Sequence, residues 1–169
     1  MAPKRVLGGI AVVGFGASLV VHLLTVAGLD VSERMPYVFG PHFGIFVVFL
    51  PFLISSDSNF HRRPSLGDII SGAPTWSSIL IVLLLAYGVV NFLVCGRLME
   101  GGGAEIVNGE YVLANHGKVL AHIGETEYHL RRAYELRMFS GGWLLFYWVP
   151  AVYFLFWQAP TSVLDRRPV

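Results

Sequence analysis

A chain of 169 residues that is 54% hydrophobic and only 14% charged, with a mean hydropathy of +0.61, is far more apolar than a soluble domain of its size. Its formal net charge of +1, carried by scattered basic residues, excludes a polyanion-binding surface, and no nucleic-acid partner is expected. The single cysteine, Cys95, excludes an internal disulfide and any cysteine-rich zinc or iron–sulfur site.

Four apolar runs have the length of a membrane span, since about 20 helical residues cross a ~30 Å hydrocarbon core. They are residues 6–29, 37–54, 78–98 and 139–158. The first follows Lys4-Arg5 and ends near Thr25-Val26-Ala27, so a cleaved signal peptide competes with a retained span. Its length and its packing glycines favour the span. The second carries Pro41 and Pro51, and the latter removes a backbone donor and predicts a kink. The loop 55–77 carries Arg62-Arg63 with Asp57 and Asp68, and reads as a solvated inner-face connection. The fourth run has Pro150 at its centre, and Trp143, Tyr147, Trp148, Tyr153 and Trp157 supply interfacial rings.

Between the third and fourth runs lies the one long segment able to fold in water. Gly101-Gly102-Gly103 reads as a flexible tether. A β-hairpin is predicted from strands 110–114 and 118–122, turning on Asn115-His116-Gly117 with Gly117 in the left-handed position of a bulge. A charged helix over 125–138 follows, with Glu125 and Glu127 at its start, Arg137 at its end, and Glu127/Arg131 and Arg131/Glu135 spaced for pairing. Tyr111, Leu113, Val119, Leu130 and Tyr134 are expected to pack together or on the membrane surface. His116, His122 and His129 do not form a metal-binding spacing, and no metal site is expected.

The fold expected is an all-α membrane protein: a four-transmembrane-helix bundle with a small extramembrane β-hairpin and helix between spans three and four. Its parts are 1–98, the first three spans with their loops, then the module 99–138, then 139–169, the fourth span and tail. With the N-terminus inside, the basic residues of the short segments (Lys4, Arg5, Arg62, Arg63, Arg166 and Arg167) lie inside, which favours N-in/C-in with the module outside.

The run Asn108-Gly109-Glu110-Tyr111-Val112-Leu113, then His116-Gly117-Lys118-Val119, Glu125-Thr126-Glu127-Tyr128-His129, Ala133-Tyr134-Glu135-Leu136-Arg137 and Phe139-Ser140-Gly141, resembles a loop of small uncharacterised bacterial membrane proteins. The resemblance implies a bacterial inner-membrane protein and no particular activity.

Two groups of candidate site residues follow. On span one, Ala11, Gly14, Ser18, His22 and Thr25 recur three and four apart as a small-and-polar stripe that should face the bundle. His42 enters span two at matching depth, Tyr87, Asn91 and Cys95 share a face of span three, and Trp143 and Tyr147 share one of span four. His22, His42, Tyr87, Asn91 and Tyr147 can then form one polar layer. That layer either fixes helix packing or holds a small ligand, such as a quinone or a haem b ligated by His22 and His42. In the module, Tyr111, His116, Lys118, His122, His129 and Arg132 are the candidates for binding a membrane or periplasmic protein partner. No catalytic constellation is present. Ser18 with His22 is the sole nucleophile–base candidate and lacks an orienting third group. A non-enzymatic accessory protein of the lipid bilayer is the expected function, with the haem- or ligand-binding protein as the alternative.

Overall fold

The computed structural model describes residues 2–54, 67, 72–99 and 101–156. The expectations placed on Arg62, Arg63, Asp57, Asp68, Trp157, Arg166 and Arg167 lie outside the described residues. The elements are α1 (Ala2–Val26), α2 (Gly40–Ile54), α3 (Thr75–Leu98), β1 (Gly103–Val107), β2 (Glu110–Asn115), β3 (Lys118–His122) and α4 (Glu125–Phe156).

Three helices are long and apolar enough to cross a membrane: Lys4–Val26 within α1, Thr75–Leu98 and Glu125–Phe156. The fourth expected span is not shown, and in its place stands a shorter apolar helix, α2. Among the described residues α2 covers 15 positions, about 22 Å of helix against a ~30 Å core. Its start is set by Pro41, which suits the first turn of a helix but disfavours helical geometry in the residue before it. Residues 37–39 accordingly form turns, with Gly40 N–H donating to the Tyr37 carbonyl (2.7 Å) and His42 N–H to that of Phe39 (2.9 Å).

The charged helix and the last span are one element. α4 runs unbroken for 32 residues, so the anticipated boundary at 138/139 falls inside a helix and the module is rigidly continuous with the bundle. α4 is also the hub, since each other helix packs against it, while no Cα of α2 lies within 8 Å of one of α3. α1 runs antiparallel to it. Gly14 faces the Tyr147 ring and His22 reaches Ser140, so the small-residue stripe, with Ala11, Ser18, His22 and Thr25 buried, is the seam with α4. α2 runs parallel to α4, its rings meeting in sequence: His42 with Phe139, Phe49 with Phe146, and Phe52 with Tyr153. α3 is antiparallel to α4, from Trp76 near Phe156 to Asn91 beside Arg137.

The predicted hairpin is part of a three-stranded antiparallel sheet in the order β1-β2-β3. The glycine run is no free tether: Gly103 opens β1 opposite Ala114, and Gly102 is buried so closely that an added Cβ would lie 2.9 Å from Leu113 Cγ. Two-residue loops join the strands, Asn108-Gly109 (φ 53° and 86°) and His116-Gly117 (φ 50° and 76°). Positive φ at both central residues matches the right-handed twist of the flanking strands. The expected three-residue turn is therefore a two-residue one, and the bulge lies deeper, where Leu113 pairs Ala121 and Ala114 pairs Val119, leaving Leu120 over. β1 and β2 dock on α4, with Val112, Leu113 and Ala114 buried, while β3 is exposed throughout. Val119 and Leu130 stay outward instead of joining Leu113, and Tyr111 stacks on Tyr128 at 4.9 Å between ring centroids.

Candidate functional site

Two of the polar groups that tie α4 to its neighbours involve the expected residues. The first is built on His22, in the last two turns of α1. Its Nδ1 lies 2.9 Å from Ser140 Oγ, and its Nε2 is hydrogen-bonded to the Tyr87 hydroxyl of α3. Ser140 Oγ–H donates to the Arg137 carbonyl (3.3 Å), so its oxygen accepts from His22 Nδ1–H, and Nε2 takes the Tyr87 proton. One turn along α3, Asn91 closes a ring with Arg137: its Nδ2 donates to the Arg137 carbonyl (3.0 Å) and its Oδ1 accepts from Arg137 Nε (2.9 Å). Cys95 Sγ, fully buried, lies 3.7 Å from the same Oδ1. Gly141 lets the backbones meet here, since a Cβ would stand 2.5 Å from Asn91 Nδ2 and 3.3 Å from His22 Cε1.

The second group belongs to α2 and α4. Trp143 Nε1–H donates to His42 Nδ1 (3.0 Å), and the Tyr147 hydroxyl donates to the Pro41 carbonyl (2.6 Å). The five residues expected in one layer are thus divided. His22, Tyr87 and Asn91 come together, while His42 pairs with Trp143 and Tyr147 lies between Gly14 of α1 and Gly44 of α2. Ser140, Arg137 and Trp143 complete these groups and were not among the expected five. Haem ligation through His22 would displace Ser140 or Tyr87 from a ring nitrogen. Ser18 donates to the Gly14 carbonyl (2.8 Å) instead of facing His22 as a nucleophile would.

Outside the bundle, a cleft of about 280 Å³ forms where the segment after α1 (Asp30, Ser32 and Glu33) meets Ile106 of β1, Tyr111 of β2, and Glu125, Tyr128, His129 and Arg132 of α4. His129 Nδ1–H donates to Asp30 Oδ2 (3.0 Å), and the Ser32 amide (3.0 Å) and hydroxyl both donate to Oδ1. Burial pushes the Asp30 carboxyl up, but the Ser32 and His129 hydrogen bonds and the Arg132 charge outweigh it and hold it below its ordinary value. Tyr111 is shifted the other way, raised chiefly by the Glu125 carboxylate beside it. Arg132 is paired with Glu135, and the anticipated Glu127–Arg131 pair forms at 2.7 Å.

Of the candidate partner-binding residues, Tyr111, His129 and Arg132 line this cleft. His116 and Lys118 stand at the β2–β3 turn, and His122 pairs with Glu110 (3.0 Å) at the far end of that hairpin. Among the described residues no three of His, Cys, Asp and Glu converge as a metal-binding group. No protein-family model, curated protein or solved structure matches the chain.

Proposed function

We propose that this is a non-enzymatic accessory protein of the bacterial inner membrane that docks a partner protein through the cleft between its module and the segment after α1. In this reading the chain lies N-in/C-in, α2 is inserted as a fourth apolar helix, and the module faces outward. The up-down-up-down run of the four helices and the Lys4-Arg5 pair at the end opposite the module support that arrangement.

The observation that carries the proposal is the pairing of the side chains on the cleft wall. Glu33 and Glu125 have no ion-pair partner among the described residues, while Arg132 is already engaged by Glu135. Beside these carboxylates lie the stacked Tyr111 and Tyr128 rings. Carboxylates with adjacent aromatic faces suit a lysine or arginine side chain, held by charge and by cation–π attraction. The unbroken α4 holds the cleft in fixed register with the bundle, so the partner is met by a preformed surface.

A photo-crosslinking residue at Ile106, which lines the cleft, tests this in the membrane of the host cell. One discrete protein adduct is expected, lost in the Glu33→Arg/Glu125→Arg double variant and kept in Glu105→Arg. Absence of an adduct, or an adduct indifferent to both carboxylates, would overturn the proposal.

A further inference from the structure

Because the backbones of α2 and α3 stand apart, a groove of about 500 Å³ opens between them over α4. That is the size of a small-molecule site. Its lining is almost wholly apolar: Ile45, Phe46, Phe49, Leu50 and Leu53 from α2, Phe92 from α3, and Phe139, Gly142 and Phe146 among others from α4. The polar exception is His42 at the module end, along with Trp143, whose N–H is spent on His42.

That spent N–H fixes the chemistry of the histidine. An indole nitrogen can only donate, so His42 Nδ1 must be an acceptor without a proton, and the ring's one proton sits on Nε2. Nε2–H has no hydrogen-bond partner among the described residues. A donor facing hydrocarbon is costly unless an acceptor reaches it. The groove therefore presents one unmet N–H at its mouth and apolar walls beyond.

We infer that the groove holds one acyl chain of a membrane phospholipid, whose ester carbonyl accepts the His42 Nε2–H bond. Length supports this occupant. From His42 to Leu53 the groove follows α2 for about 16 Å at ~1.5 Å per residue, close to half of a ~30 Å hydrocarbon core. With α2 inserted from the module side, His42 in its first turn would fall near the level of the ester carbonyls, with the apolar walls running from there towards the bilayer centre. A transmembrane helix would need apolar walls through the full thickness, and the described lining on α2, from His42 to Leu53, matches one acyl chain. A quinone ring carries carbonyls on opposite edges, and the groove offers a single free donor.

The test uses the full-length protein in nanodiscs containing a phosphatidylcholine with a diazirine on its acyl chain, with adducts mapped by mass spectrometry. Adducts at Phe46, Leu50, Phe92 and Phe146 are expected several-fold above those at the exposed apolar residues Val13, Leu83 and Val90. Two variants should bring the groove down to that background. His42→Phe keeps a ring and removes the donor. Gly142→Leu fills the groove from a position where a Cβ meets nothing within 4 Å, so the helix tolerates it. Even labelling over all apolar faces overturns the inference, as does labelling unchanged in His42→Phe. Displacement by a short-tailed quinone, with the quinone recovered bound, overturns the choice of occupant.

Discussion

His22 and His42 enter the bundle from the same end, one near the close of α1 and the other in the first turn of α2, yet they are in opposite chemical conditions. His22 is 3% exposed and has both ring nitrogens engaged, by Ser140 and Tyr87. His42 has one nitrogen engaged, by Trp143, and lines an open groove. The two consecutive glycines of α4 repeat the contrast. Gly141 faces the closed group with no room for a Cβ, and Gly142 faces the groove with nothing within 4 Å. Lipid tails are as apolar as leucine, so helices in a membrane associate through close backbone approach and interhelical hydrogen bonds. Where α4 offers Gly141 and Ser140, α1 and α3 close on it. Where it offers bulky rings and a single indole N–H, a gap remains between α2 and α3.

The largest effect should come from the glycine pair. Gly141→Val forces Asn91 and His22 apart and is expected to cost about 3 kcal/mol, through overpacking and the lost bonds to Arg137 and Ser140. Gly142→Val should stay within about 1 kcal/mol of the wild type. Unfolding in mixed detergent, followed by tryptophan fluorescence, separates the two. Equal losses would break the division of α4 into a closed and an open side.

Replacing the histidines themselves gives a smaller version of that test. His22→Phe strands the Tyr87 and Ser140 hydroxyls and should cost about 2–3 kcal/mol, whereas His42→Phe loses one bond and should cost about 1 kcal/mol. Asn91→Leu comes next, at about 1–2 kcal/mol from the two Arg137 bonds. It also removes the acceptor facing Cys95 Sγ, so thiol labelling of Cys95 should speed up in this variant and stay slow in His42→Phe. A Cys95 thiol equally protected in both would show that Asn91 does not hold that corner closed.

Part of this was legible from spacing alone. Tyr87 and Asn91, four apart, do share the face of α3 that meets His22, and the stripe through Ser18 and His22 is the α1 seam. Helical periodicity places residues on a face but does not say which side of a hub helix that face meets. That is why depth and spacing group His42 and Tyr147 with His22, although neither hydrogen-bonds to it among the described residues. Ser140 is absent from the expected layer, although a serine three residues past Arg137 on an apolar helix is a ready hydrogen-bond partner. In the module, Asn108-Gly109 is the strongest short hairpin signal in the chain, and it marks β1. The neighbouring Gly101-Gly102-Gly103 was read by composition as a linker, yet Gly102 is glycine because Leu113 leaves no space for a side chain. The length of α2 turned on Pro41, whose backbone effect weighs more than the apolar character of Tyr37 and Val38.

The smallest effect lies outside the helix bundle, where the contrast is between saturated groups and solvent-facing ones. Asp30, tied to Ser32 and His129, links the segment after α1 to the start of α4. Its carboxyl is held below its ordinary value in the folded protein, so the unfolded chain binds a proton there more readily. The stability it contributes is complete above the unfolded value near ~4 and drains away as pH falls through the lower, folded one. Asp30→Asn should therefore be less stable than the wild type at neutral pH by under about 1 kcal/mol, as for a partly exposed pair. The gap should close as pH falls from about 5 towards 3. Unfolding midpoints of the two proteins across that range measure it, and because other carboxylates titrate in both, only their difference reports on Asp30. A difference constant with pH would mean that the carboxylate charge plays no part in joining the two segments. The cleft would then owe its shape to the Tyr111–Tyr128 stack and the continuity of α4.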